Sequence, residues 1–166
     1  MGPGLIPDVV DQCVSSVPQQ SHYDLFCDGT GKDPACPPCR LVAWSVILAG
    51  RDLQHNHVPI AWGGLPGYWQ TVIRGELTAF VAALIFGRRT GATCAIWSDC
   101  AMVIDRARQI QSGWFTVTSA CSDHDLWLTV QDLLPDPAQC QLYHIKSHQD
   151  YSAAEPWLRW AMYVCM

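Results

Sequence analysis

The sequence predicts one α/β domain in which helices pack on the faces of a sheet. Two observations predict this class. Short apolar segments stop at aspartate or glycine, as strands do, and a long stretch between the third and fourth of them has helical periodicity. The resulting order is three strands, a helix, a strand, two helices, a strand and a helix. A chain of 166 residues is long enough to give such a domain a sizeable core.

Five segments are predicted strands: 22–27, 41–48, 57–62, 93–97 and 141–145. The first has apolar residues on both of its faces, which is typical of a central strand. We expect it to stop at Asp28, where Gly29 and Gly31 allow the backbone to turn sharply and to approach a ligand closely. The fourth strand ends at Ser98 and Asp99.

Four segments are predicted helices: 70–88, 101–111, one that opens at Asp123 and is closed by Pro135 and Pro137, and 153–165. In the first, apolar residues recur at three- and four-residue spacing, which predicts an amphipathic helix: Ile73, Leu77, Phe80, Val81, Leu84 and Ile85. Ser122 is the predicted N-cap of the third helix. Residues 1–20, with three prolines and a polar run, are predicted to be an extended leader or linker remnant before a domain over 21–166.

The charge and hydropathy of the sequence limit which partners and cellular locations we expect. A net charge of −5 provides no overall attraction to nucleic acid, so a nucleic-acid site would be local and metal-assisted. No apolar run is as long as a membrane span of roughly 18 residues, and residues 1–20 lack the basic and apolar regions of a signal peptide. We therefore expect an intracellular protein with no membrane partner, and the sequence does not distinguish a nuclear from a cytoplasmic location.

The nine cysteines are then expected to be reduced thiols, several of them in the core. Cys36 and Cys39 flank two prolines, and two interpretations remain open. They form either a rigid loop with two thiols or part of a zinc site that His55 and His57 complete. The lack of a second cysteine pair at a matching distance favours the rigid loop.

Three carboxylates stand out by their positions. Asp28 ends the first predicted strand, Asp99 follows the fourth, and Glu76 lies in the first helix. If the two strands are neighbours, Asp28 and Asp99 converge at one edge of the sheet, and the helix presents Glu76 between them. An unpaired buried glutamate is costly, so Glu76 requires a metal ion or a cation such as Arg74. Alternatively, Glu76 borders the apolar face and is solvated.

Five short motifs follow one another in the order and at the spacing of a known family. They are Phe-Cys-Asp-Gly-Thr at 26–30, Arg-Gly-Glu-Leu-Thr-Ala at 74–79, Trp-Ser-Asp-Cys at 97–100, Asp-Leu-Trp at 125–127 and Ile-Lys-Ser-His at 145–148. Over residues 22–150 the chain resembles the ribonuclease H family. Together with the second motif, Leu-Pro-Gly-Tyr-Trp-Gln-Thr at 65–71 is most similar to the ribonuclease H domains of retroelement reverse-transcriptase polyproteins.

The resemblance implies a five-stranded mixed sheet, with strands 1 to 3 antiparallel, flanked by helices. It also implies hydrolysis of the RNA strand of RNA–DNA hybrids with two divalent cations, Mg²⁺ or alternatively Mn²⁺. Asp28, Glu76 and Asp99 match the catalytic carboxylates that bind the metals. Oxygen ligands are those that Mg²⁺ prefers, and clustered carboxylates are what a pair of metals requires. His148 matches the catalytic loop histidine that helps the product to leave or shuttles a proton.

Substrate contacts are implied for Gly29, Thr30, Arg74 and Lys146, with 2′-hydroxyl contacts across the minor groove distinguishing RNA from DNA. The basic segment with which some family members bind hybrids is absent, because residues 111–121 contain no Lys or Arg. Affinity for the hybrid would then be modest and salt-dependent, or an adjacent reverse-transcriptase domain would supply it.

Tryptophans are further candidates for substrate contact. Trp69 and Trp114 lie in predicted loops and are better placed for it than Trp44, Trp97, Trp127 and Trp157, which lie in apolar runs.

The family's fourth carboxylate, an aspartate in the last helix, has no counterpart at the matching position, which is Leu158. Two interpretations remain. The aspartate lies beyond Met166 or has been lost, which makes the domain incomplete at its C-terminal end, or Glu155 or Asp150 replaces it. The first is favoured because residues 157–160 are typical of ordinary packing. The alternative function is accordingly an inactive ribonuclease H-like domain that binds nucleic acid or serves as a scaffold.

Overall fold

The computed structural model describes residues 5–32, 41–49, 57–67, 70–134 and 136–146, with only the backbone described at residue 5. Its elements are, in chain order, α1 (Leu5–Val14), β1 (His22–Lys32), β2 (Leu41–Leu48), β3 (Val58–Gly64), α2 (Val72–Thr90), β4 (Thr93–Ser98), α3 (Ala101–Gln111), α4 (His124–Leu133) and β5 (Cys140–His144). The predicted helix over 153–165 and the loop with Cys36 and Cys39 lie outside the described residues.

The five strands form one mixed sheet in the order β3-β2-β1-β4-β5. β1 pairs antiparallel with β2, and β2 with β3, whereas β4 is parallel to both β1 and β5. This topology confirms the predicted fold class. β1 is the central strand, and it is buried on both faces, since Leu25 and Phe26 expose at most 1% of their surface.

Helix α2 covers one face of the sheet, and its apolar side chains form the main core with β1 and β2. The Thr71 side chain caps its first turn by accepting a hydrogen bond from the Arg74 N–H at 3.1 Å. The helix ends at Gly91, whose φ of 66° is left-handed and therefore suits glycine. Within the described part of the chain, no helix is both long and apolar enough to cross a membrane.

Helix α3 protects the edge strand β5. The Arg108 guanidinium donates to the Leu142 carbonyl at 2.8 Å, and the Gln111 amide donates to the Cys140 carbonyl at 2.9 Å. These bonds satisfy acceptors that an edge strand otherwise offers to another chain. The contact also fixes β5 beside β4, which carries Asp99 at its end.

The prediction of an extended segment over 1–20 is wrong for Leu5–Val14, which forms helix α1. The side chain of Val10 is fully buried, and Ile6 and Val9 pack against the same core. Pro7 lies in the first turn, where a missing N–H breaks no helical hydrogen bond. Apolar residues at helical spacing were therefore present in this segment, but the three prolines led to the prediction of an extended chain.

The predicted end of the first strand at Asp28 is also wrong, because β1 continues to Lys32. Gly29 and Gly31 do not form a turn and instead pair with Trp44 and Val42 of β2. What stops after Cys27 is the parallel pairing with β4. The N-cap position of α4 is Asp123, with a φ of 53°, rather than the predicted Ser122.

Gly29 allows α2 to approach the backbone of β1. A Cβ atom at this position would overlap the backbone nitrogen of Glu76 and would lie 2.7 Å from the carbonyl carbon of Gly75. Backbone atoms cannot move aside as a flexible side chain can, so any larger residue must push α2 away from the sheet.

We expect Gly29→Ala to lower the free energy of unfolding by about 1–3 kcal/mol through this overlap. The measurement is urea denaturation of the metal-free protein. Gly64→Ala is the matched control, because a Cβ there would meet its nearest atom at an ordinary 3.9 Å. Equal stabilities of the two variants would contradict the close contact between α2 and β1.

Candidate metal centre

The three carboxylates singled out in the sequence lie together. Oxygen atoms of Asp28, Glu76 and Asp99 all lie within 4.8 Å of one another. Asp28 is the first residue of β1 beyond its pairing with β4, and Asp99 directly follows β4. Glu76 lies in the second turn of α2. The predicted convergence of these three side chains is therefore present in the fold.

Backbone packing brings Glu76 to this place. Gly75, the residue before it, also lies against the sheet, and a Cβ there would be 3.2 Å from the Ala43 carbonyl oxygen and 3.5 Å from the Gly29 Cα. With hydrogen atoms at both glycines, the first turns of α2 rest directly on β1 and β2. The Glu76 side chain then reaches the end of the β1–β4 pairing.

The cluster is electrostatically unfavourable without a counterion. Burial raises the pKa of Glu76 from 4.5 to about 8, and the charges of Asp28 and Asp99 add to the rise. Burial and the neighbouring Asp99 likewise raise the pKa of Asp28 from 3.8 to about 6. A hydrogen bond from the Gly29 N–H opposes both shifts by a smaller amount.

Glu76 has the strongest need for a ligand. It is only 5% exposed, and its Oε2 atom is buried without a hydrogen-bond partner. A buried acceptor without a partner is rare and costly, and a cation would compensate both the missing bond and the repulsion. An all-oxygen donor set suits Mg²⁺ or Mn²⁺ better than softer metals. The residues present therefore fit a divalent cation.

Arg74 does not neutralise the cluster. Its guanidinium donates to Asp123 and to Asp125, each at 2.6 Å, and these ion pairs raise its own pKa above the ordinary value. The same contact lowers the pKa of Asp125. Of the two partners that the sequence suggested for Glu76, a metal ion or Arg74, the arginine is thus occupied elsewhere.

The ion pairs connect the start of α2 to the start of α4. Sequence reasoning noted Asp125 as part of a motif but did not identify either aspartate as a partner of Arg74. Asp123 carries a left-handed backbone that is uncommon outside glycine, and its side chain is held by Arg74. Arg74 was predicted to contact the substrate, and with its guanidinium paired in this way that role stays a prediction.

The other predicted site residues occupy different surroundings. Gly29 is buried under α2, whereas Thr30 and Lys146 are exposed. His148, Asp150 and Glu155 lie outside the described residues, and so does Trp69. The structure therefore describes three carboxylates of the cluster and leaves the predicted roles of Thr30 and Lys146 as predictions.

His144 is a neighbour of the cluster that sequence reasoning missed. Its Nε2 atom lies 3.1 Å from the Asp99 carbonyl oxygen, and the residue pairs with Ser98 across β4 and β5. As the donor in this bond, the imidazole holds the backbone that carries Asp99. The position of His144 at the end of the fifth strand could have indicated this contact, because the ends of the parallel neighbours β4 and β5 lie side by side.

Known structures of low sequence identity share this fold. Prototype foamy virus protease-reverse transcriptase matches with a TM-score of 0.64 and 14% identity over 91% of this chain, which covers 21% of that chain. The PFV RNase H domain matches with a TM-score of 0.59 and 15% identity, covering 86% of this chain and 94% of that one. A foamy viral protease-reverse transcriptase in complex with RNA/DNA hybrid matches with a TM-score of 0.58 and 12% identity, covering 89% of this chain and 21% of that one.

This chain thus spans about a fifth of the length of the two protease-reverse transcriptase chains just described. No protein-family model and no curated protein matches the sequence. At these identities the agreement with known structures is one of fold. The chain has a ribonuclease H-like fold, as its motifs predicted.

Proposed function

We propose that this chain hydrolyses the RNA strand of RNA–DNA hybrids in a reaction that depends on divalent cations. The observation that carries the proposal is the cluster of Asp28, Glu76 and Asp99 at the end of the β1–β4 pairing. Its buried, unpartnered Glu76 oxygen supports a catalytic ion site more strongly than a surface group of acidic residues would.

The likeness to structures that contain ribonuclease H domains supports the choice of substrate. One of these proteins, the foamy viral protease-reverse transcriptase, has been solved in complex with RNA/DNA hybrid. Because this chain covers 21% of that chain, we include in the proposal an adjacent reverse-transcriptase domain that shares the substrate.

In this proposal Asp28, Glu76 and Asp99 hold the cations, which are Mg²⁺ or Mn²⁺. Bound divalent cations supply a water nucleophile of lowered pKa and stabilise the leaving oxygen. The protein keeps the three carboxylates converged, and a bound cation would favour their ionised form, which burial alone disfavours. His144 holds the Asp99 backbone, and His148 would assist departure of the product or transfer a proton.

The proposed substrate contacts lie on β1 and α2, which carry metal ligands, and just after β5. Thr30 is exposed two residues after Asp28 and could contact a 2′-hydroxyl, with the Gly29 backbone beside it. Lys146 is exposed after β5 and could contact a phosphate, as could Arg74 if it exchanges one of its carboxylate partners. Discrimination between RNA and DNA would come from the 2′-hydroxyl contacts.

A second candidate function is binding of the hybrid without cleavage. The observation that favours it is the size of the cluster, which contains three carboxylates among the described residues, while Leu158 stands at the position of the family's fourth. With three ligands a second cation would be bound weakly. Binding of the hybrid by a folded protein that cleaves nothing with either Mg²⁺ or Mn²⁺ would support this function instead.

We expect Asp99→Asn to reduce cleavage of the RNA strand by at least about 100-fold, because it removes an anionic ligand from the cluster. The measurement is the cleavage rate of a labelled RNA–DNA hybrid with Mg²⁺ and then Mn²⁺, with double-stranded RNA and DNA as comparison substrates. Asp105→Asn is the matched control, since that side chain is 63% exposed on α3 and pairs with Arg108. A wild-type rate in Asp99→Asn would overturn the proposed site.

The metal-free protein should lose stability as the pH rises from about 4.5 to about 8. The pKa of Glu76 is higher in the folded than in the unfolded chain, so in this interval the folded state binds more protons, and raising the pH favours unfolding. The same reasoning applies to Asp28 between about 3.8 and about 6.

Urea denaturation at several pH values in the presence of a chelator measures this dependence. Glu76→Gln should flatten the profile above about pH 6, and Mn²⁺ should stabilise the wild type most at the alkaline end, where the carboxylates are ionised. A wild-type profile that matches that of Glu76→Gln would contradict the assigned pKa shift.

A further inference from the structure

One row of residues leads from the metal centre across the sheet. Asp28 of β1 is directly opposite Ser45 of β2, and Ser45 is opposite Trp62 of β3. Directly opposed residues lie on the same face of a sheet, so these three share the face that is opposite to α2. Neighbouring strands are about 4.8 Å apart, which puts the backbone of Trp62 about 10 Å from that of Asp28.

This face is exposed beside the metal centre. Trp62 is 61% exposed and Leu41 is 70% exposed, both unusually high values for large apolar residues in strands. Thr30, Lys32 and Ala43 are exposed as well, and the register places all of them on the same face. We call the surface formed by Thr30, Lys32, Leu41, Ala43 and Trp62 the β1–β3 shelf.

The charge of the protein restricts how it can hold a polyanion. The net charge is −5, and residues 111–121 contain no Lys or Arg. Among the described residues of the β1–β3 shelf, the charged one is Lys32. Contacts that do not depend on charge would therefore add to affinity, and an indole ring that packs on a sugar along the groove of the hybrid is such a contact.

We propose that the β1–β3 shelf is a binding surface for the hybrid, with the Trp62 ring packed against a nucleotide that flanks the cleaved phosphodiester. This inference rests on the proposed function. At about 3.4 Å of rise per nucleotide, the distance of about 10 Å from Asp28 corresponds to a few nucleotides along the strand. Lys32 then lies beside a phosphate, and Thr30 lies between Lys32 and the metal ligand.

Nucleic acid fits this surface better than a protein partner does. The shelf continues without a break into the row that contains Asp28, so a protein domain seated on it would lie across the access to the carboxylates. A hybrid, in contrast, extends on both sides of its cleaved bond, and the shelf borders the metal centre on one of these sides. The continuity of the shelf with the metal centre therefore favours nucleic acid over a protein as the bound partner.

Binding of a fluorescent RNA–DNA hybrid, measured in an Asp99→Asn background at several salt concentrations, tests the inference without cleavage. Trp62→Ala should weaken binding about tenfold at every salt concentration, so that the slope of log Kd against log salt is unchanged. Lys32→Gln should instead reduce that slope by about one counterion. Trp62→Phe, which keeps an aromatic ring, should restore most of the affinity.

Leu128→Ala is the control for loss of an exposed apolar side chain, because Leu128 is 41% exposed on α4, away from the shelf. If the parent binds the hybrid and Trp62→Ala binds it equally well, the inference is wrong and the proposed function stands. If the parent binds no hybrid and the wild type cleaves none, the proposed function fails and the inference fails with it. Loss of self-association in Trp62→Ala, at unchanged hybrid affinity, would assign the shelf to a second copy of the chain and overturn the inference.

Discussion

The direct backbone contact between α2 and β1 is the constraint on which the candidate centre depends. A Cβ on Gly29 would overlap backbone atoms of α2, and a Cβ on Gly75 would lie 3.5 Å from the Gly29 Cα and 3.2 Å from the Ala43 carbonyl oxygen of β2. At this short separation the side chain of Glu76, one residue beyond Gly75, reaches oxygens of two residues at the end of the β1–β4 pairing. A helix a few Å farther from the sheet would leave Asp28 and Asp99 without their third carboxylate.

That contact brings three carboxylates together, and Arg74 does not relieve the repulsion among them. Burial and mutual repulsion raise the pKa values of Glu76 and Asp28. The nearest candidate cation in the sequence, Arg74, is held by Asp123 and Asp125 at the other side of the helix start. Evolution toward stability alone would replace such a cluster with apolar residues, so its presence argues for a ligand that the cluster serves.

The mixed five-stranded sheet was expected from the family resemblance, and the pairing of the first and fourth strands was only a condition for the carboxylates to converge. The sequence itself was sufficient to predict the α/β class and to single out the three carboxylates, because these follow from periodicity and from where apolar runs stop. It was not sufficient for features that tertiary contacts decide. Gly29 reads locally as a turn residue, but pairing with β2 keeps it in a strand and α2 uses its missing side chain. The left-handed Asp123 and its bond to Arg74 join residues 49 positions apart, which no local pattern encodes.

Trp62 shows the same limit for substrate contacts. In the sequence it belongs to a short apolar run and resembles the buried Trp44, yet it is 61% exposed because its side chain lies on the face that α2 does not cover. A protein of net negative charge gains little from long-range attraction to a polyanion. Contacts such as an indole packed on a nucleotide act over a shorter distance than electrostatic attraction, but they depend strongly on geometry. In the proposed reaction, such contacts would favour a hybrid already aligned with the carboxylates over nucleic acid that merely approaches the surface.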